Sequence, residues 1–157
     1  MQTKSKVILA LVAIVLLATT VSKLLQQNPV PDKVQIQGEL KEAAEDASNK
    51  NAGGVMSIIS DSYTDSDGNT PDRFGMLLRR GMQNVQDIDV VVAPAAITIN
   101  GQSAKSSSYI SIKIDGQPVI GQVVELDWRK EPSRRLFIIP DEKWRVVHSN
   151  YDGGMDN

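Results

Sequence analysis

Between Ser60 and Arg73 the sequence reads SDSYTDSDGNTPDR, which gathers Asp61, Asp65, Asp67 and Asn69 within nine residues. Oxygen ligands at alternating positions are the chemistry of a calcium loop, which also needs glycine at position six and glutamate at position twelve. Counting from Asp65, those positions hold Thr70 and Met76; counting from Asp61, position three is Tyr63. Neither register makes the loop. The same residue types build tight turns, because Asp, Asn and Gly tolerate left-handed backbone and accept bonds from nearby N–H groups. A turn that caps the following helix is therefore the favoured reading, and no metal site is expected.

The remaining chemistry-bearing residues are few. His148, the single histidine, could serve as a general acid or base, but the sequence supplies it with no evident acidic partner. Asp87, Asp89, Glu125 and Asp127 alternate with apolar neighbours, so they are expected to face water. Trp128 and Trp144 fit the wall of a pocket or of the core, core being the ordinary role of a large aromatic. In DWRKEPSRR, Arg129, Lys130, Arg134 and Arg135 are expected around one hairpin tip, as a basic patch for acidic partners or simply as a solvated turn.

Composition narrows the classes further. Cysteine is absent, which removes disulfides, thiolate metal sites and thiol nucleophiles, and no cofactor is called for. A length of 157 residues with 41% hydrophobic and 23% charged residues suits one globular domain with an appendage. Residues 1–25 carry Lys4, Lys6 and Lys23 without an acid. The remainder holds 14 basic and 19 acidic residues, net −5, which argues against a nucleic-acid partner.

The appendage is the amino terminus. Every residue from Val7 to Ala18 is apolar, and residues 7–25 have about the length that spans the hydrocarbon of a bilayer as a helix. Lysines before it place residues 1–6 in the cytoplasm and the rest of the chain periplasmic or extracellular. A cleaved signal peptide shares the basic start and apolar core. No A-x-A site follows, and Val21 is bulky for one, so the uncleaved single-pass anchor is preferred.

Residues 26–33, with two prolines, read as a linker to a domain over 34–151, followed by a flexible tail, 152–157. Ile36, Leu40, Ala43, Ala44 and Ala47 recur at helical spacing. After the break at NAGG, VMSIISDSY reads as a second short helix. Thr70 and Pro71 open a third, with Phe74, Leu77, Leu78 and Met82 on one side and Gly81 near its end. From Asp87 the period becomes two. IDVVVAPAAITI is a strand bent at Pro94, the turns at Asn100–Gln102 and Asp115–Gln117 are hairpin signals, and EPSR is expected to turn a long strand into the next. The class is α+β: three helices on an antiparallel meander of four to five strands.

The order helix, helix, DSYTDSDGN, helix, then hairpins at NGQSA and DGQ and a final KWRVV, resembles a nuclear-transport-factor-2-like domain. That superfamily includes ketosteroid isomerase and SnoaL-type cyclases. The resemblance implies a cone, a curved sheet wrapped round the helices with a pocket inside. Tyr63 and Asp65 match the aromatic–acid turn of typical members, and Trp144 matches a tryptophan common in the last strand. With Trp128, and with His148, which shares a face of the last strand with Trp144 and Val146, these residues are the pocket candidates, for a small apolar ligand or a protein partner. The superfamily's catalytic carboxylates and tyrosine find no residue-by-residue match. A bacterial, membrane-anchored binding or assembly module is therefore the first expectation, and an isomerase- or cyclase-type enzyme the alternative. A homodimer through the sheet would use the apolar stretch Val119–Val124. Architecture alone is similar to the inner-membrane scaffold components of type IV secretion machines.

Overall fold

The computed structural model describes residues 30–135 and 139–151. The expected anchor 7–25, the segment 1–6, residues 26–29 of the linker and the tail 152–157 lie outside the described residues. Among the described residues no helix is long and apolar enough to cross a membrane.

The first helix, α1, runs Asp32–Ser48 and buries Ile36, Leu40 and Ala44. That i, i+4, i+8 spacing stacks three side chains on one face. Asp32 in its first turn puts negative charge at the positive end of the helix. Asn51 then caps the five-residue α2, Ala52–Met56, its side chain accepting from the Gly54 N–H at 3.1 Å. Gly54 leaves room for the Asp46 carboxylate, which a Cβ there, 2.1 Å from its oxygen, would force to move.

At this point the chain departs from the expected second helix. Residues after Met56 leave the helix, and Ile59–Asp65 form strand β1, pairing in parallel with the last strand. The local sequence is compatible with both states; the distant partner, with Val146 N–H bonded to the Ile58 carbonyl at 2.8 Å, decides for strand. The sheet is therefore mixed rather than wholly antiparallel. Helix α3, Pro71–Gln83, follows Thr70 as expected and continues two residues beyond Gly81. Its Gly75 allows close approach to α2, since a Cβ there would sit 3.3 Å from the Met56 sulfur.

Strands β2 (Ile88–Val92) and β3 (Ala96–Asn100) both pair with β4 (Ser103–Ile114) and are separated at Pro94. Gln37 compensates the interruption by accepting from the Ala95 N–H at 2.8 Å. Positive φ at Gly101, and at both Asp115 and Gly116, makes the two tight hairpins. Strand β5, Gln117–Arg135, is longer than expected. EPSR does not turn: Pro132 pairs with Glu142 and Arg135 with Ile139 of β6, Ile139–Tyr151. Past Arg129 the β4 ladder has ended, so that side of β5 is an edge where a proline sacrifices no sheet bond. Among the described residues the result is a six-stranded sheet of order β1-β6-β5-β4-β2, with β3 beside β2 on β4.

Helix α1 packs on β2, β3 and β6, and α3 on β1. Ile36, Leu40, Ile58, Tyr63, Ala104, Trp128, Trp144 and Val146 form the main core. Both tryptophans are about 1% exposed, and each N–H finds a partner. Trp128 donates to the Ser106 hydroxyl at 2.8 Å and Trp144 to the Asp32 carboxylate at 3.1 Å. Truncating either to alanine would cost about 3–5 kcal/mol.

Candidate functional site

Alternation along β4 and β5 puts Ile110, Ile112, Ile120, Gln122, Val124 and Leu126 on the side that meets α3 and β1. With Ile58, Ile59, Phe74, Leu77 and Val146 they line an open cavity of about 510 Å³. That lies within the roughly 300–1,000 Å³ range of small-molecule sites. Its polar lining comes from two places, the end of β1 with its following turn, and the end of β6.

A bulge brings the second of these into the cavity. The β5–β6 register advances from Trp128 opposite Val146 to Asp127 opposite His148, leaving Val147 without a partner. One extra residue reverses the alternation beyond it. Ser149 therefore joins Val146 on the inner side, whereas His148 is turned out of the cavity and its Nδ1 meets the Thr64 carbonyl at 2.7 Å.

Inside, the Tyr63 phenol and the Ser149 hydroxyl share a buried hydrogen bond of 2.7 Å. The Tyr63 ring tilts against Phe74, centroids 5.4 Å apart. Burial raises the Tyr63 phenol above its ordinary value; the Ser149 bond opposes this and the nearby Asp65 charge adds to it. The phenol accordingly stays a neutral donor and acceptor.

Asp65 organises the mouth. One carboxylate oxygen accepts from the N–H groups of Asp67 (3.0 Å) and Asn69 (2.7 Å), and the other from the Asn69 side chain (2.7 Å). Burial pushes this carboxyl up, but the Asn69 side-chain bond and the backbone bonds outweigh it, holding the group below the usual carboxylate value. A carboxylate so satisfied is a weak base. It serves as the acceptor that winds residues 65–69 into a turn. Opposite, Tyr151 donates its hydroxyl to Asp67, whose bond and charge push the phenol up to about 12. Ser66 adds a second tie from this turn to β6, donating to the Ser149 carbonyl at 3.2 Å.

Of the residues singled out in the sequence, the cavity brings together Tyr63 and Asp65. Trp128 and Trp144 are core rather than cavity wall, and His148 faces away for the reason given. The basic residues do not surround one turn, because they lie along β5. Arg129 is exposed, whereas Lys130, its neighbour on the opposite face, is drawn to Asp32 at 2.7 Å and over the Trp144 ring. Arg134 and Arg135 pair along the backbone with Pro140 and Ile139. Sequence reasoning missed Ser149 and Tyr151, whose placement depends on the bulge. It had met Asp67 and Asn69 as residues of a turn, and not as part of a cavity. Among the described residues no group of three acids or histidines is placed to hold a metal.

A second depression of about 650 Å³ lies between α1 and the β2–β3 edge, against Lys33, Val34, Gln37 and Pro94. Though larger, it gathers no acid and no hydroxyl, so the β1–β6 cavity is the better site.

No family model matches the sequence, and no curated protein matches it. Solved structures do match. A protein of unknown function from Mycobacterium tuberculosis shares 10% identity at a TM-score of 0.63, over 75% of this chain and 73% of that one. A Nostoc punctiforme protein of unknown function with a cystatin-like fold shares 13% at 0.60, over 76% and 89%. A nuclear-transport-factor-2-like protein of unknown function from Pseudomonas putida shares 11% at 0.59, over 76% and 84%. The fold is nuclear-transport-factor-2-like. The nuclear-transport-factor-2-like architecture also recurs inside longer proteins: this chain spans 37% of a Bdellovibrio bacteriovorus structure, at a TM-score of 0.60 and 6% identity. At these identities the likeness concerns the fold alone.

Proposed function

We propose that the chain is a binding module, tethered to a membrane by residues 7–25 and displaying its nuclear-transport-factor-2-like domain on the periplasmic or extracellular side, where the cavity holds a small, largely apolar molecule. The observation that carries this reading is the Tyr63–Ser149 hydroxyl pair at the inner end of an apolar cavity. A few convergent polar groups in apolar walls orient a ligand. Isomerase or cyclase chemistry is less well supported, because it needs a carboxylate free to take a proton, and the buried Asp65 is occupied by three donors.

Calorimetric titration of the full-length chain in phosphatidylcholine nanodiscs with naphthylmethanol tests the binding reading. Saturable binding that weakens when Val124→Trp fills the cavity supports it; binding unaffected by that variant would remove the cavity from consideration. The tether is tested separately by mass spectrometry of the protein from membranes. An intact amino terminus supports it, and a mature start near residue 20–25 overturns it.

A second reading, assembly through the sheet, draws on the opposite face. Tyr109 and Val123 are cross-strand partners, and with Val91 one ladder rung away they form an exposed apolar surface. A second copy of the chain is the proposed occupant. If so, Val123→Glu shifts a dimer to monomer in sedimentation; a protein monomeric before the substitution would end the idea.

A further inference from the structure

The cavity's lining also bears on the charge of what it binds. Among the 17 described residues that line it there are two acids, Asp65 and Asp67, and no lysine, arginine or histidine. Among the described residues the donors to Asp65 are neutral: two backbone N–H groups and the Asn69 amide. Asp67 is met by a neutral phenol, that of Tyr151. Neither acid has a salt bridge to a described residue, although elsewhere in the domain Asp32, Glu45, Asp127, Glu131 and Glu142 each have one. The buried Asp65 and the exposed Asp67 therefore stand at the cavity without a counter-ion among the described residues.

The rings add a second, independent feature. Tyr63, Phe74 and Tyr151 line the same cavity. Aromatic faces attract organic cations, ammonium groups above all, and do so more strongly where water is excluded. An anionic ligand would meet two like charges and no donor cation. A neutral one would leave Asp67, met only by a neutral phenol among the described residues, without an opposite charge.

We propose that the ligand is an amphiphilic organic cation, with an apolar body among Ile112, Val124 and Leu126 and an ammonium group at the mouth beside Asp67. The inference rests on the binding reading above and adds the chemical class of the ligand. Tyr63 and Ser149 then hold the inner end, while Asp67 supplies the charge that distinguishes an amine from an alcohol of the same shape.

Three naphthalenes of nearly equal size test it: naphthylmethylammonium, naphthylmethanol and naphthoate, titrated calorimetrically into the full-length chain in phosphatidylcholine nanodiscs, with empty nanodiscs as reference. The expected order is cation, neutral, anion. The cation should bind at least about fivefold tighter than the alcohol, the worth of one charge pair at contact distance even in high dielectric. Raising salt should narrow that gap in the unmodified protein, a measurement independent of any variant. Asp67→Asn, which keeps an oxygen for the Tyr151 hydroxyl, should narrow it too. Naphthylmethanol binding as tightly as the cation, or naphthoate binding tightest, would overturn the inference and leave the binding reading intact. Failure of all three to bind would count against both.

Discussion

Lys130 Nζ lies 2.7 Å from Asp32 Oδ1 and stands over the ring of Trp144, so one contact ties the first turn of α1 to β5 and closes the core above the indole. The Lys130 bond is the main reason that the Asp32 carboxyl sits below its ordinary value of 3.8; partial burial opposes it, and the Trp144 N–H and the Lys130 charge assist. A depressed carboxyl contributes stability above its unfolded value and loses it as pH falls through the folded one. Asp32→Asn should therefore lower stability near neutral pH by about 1 kcal/mol, since both partners keep some contact with water. In thermal melts run across pH the difference should be complete above about pH 3.8 and shrink as pH falls below it, through the lower folded value.

The Tyr63–Ser149 bond is buried at both ends, so breaking it from either side leaves a hydroxyl without its partner. Tyr63→Phe and Ser149→Ala should each cost about 1–3 kcal/mol by chemical denaturation. The double variant should cost less than the two added together, because the second removal strands nothing further. Additive losses would mean that each hydroxyl finds a different partner.

Asp65 is predicted to matter for folding more than for chemistry. Asp65→Ala removes the acceptor of three bonds and should cost at least about 1–3 kcal/mol. Its carboxyl is also depressed, burial being outweighed by those bonds, so its contribution is complete above pH 3.8 and declines as pH falls through the lower folded value. Asp65→Asn, which retains one acceptor oxygen, should lose less than the alanine variant at pH 7. Guanidinium unfolding of the three proteins ranks them.

What the sequence made legible was local. The four-residue spacing of Ile36, Leu40 and Ala44, and the Asn-Gly and Asp-Gly turns at Asn100 and Asp115, needed no partner outside their own segment. Strand β1 was not legible, because Ile59 and its neighbours become strand only by pairing with β6, with Thr64 meeting a residue 84 positions later. The bulge at Val147 has no signature in VVHSN, yet it decides that Ser149 rather than His148 enters the cavity. Tyr63 and Asp65 were found through their place in a resembled fold, and the motif that looked like a metal loop proved to be half strand and half turn. The apolar run 7–25 is plain in the sequence and lies outside the described residues.

The tie between Tyr151 and Asp67 can be read directly by titration. Hydrogen bonding to Asp67 first, then burial, then the charges of Asp67 and Asp65 raise this phenol from 10.0 to about 12. A phenol raised in the folded state contributes stability that is complete below its unfolded value and lost as pH rises through the folded one. Tyrosinate absorbance should show a group titrating near pH 12 that is missing from Tyr151→Phe. In Asp67→Asn the same group should move back toward 10.0, since the anion that opposed ionisation is gone. A midpoint near 10.0 in the unmodified protein would mean that Tyr151 does not reach Asp67, and that Asp67 is left to solvent.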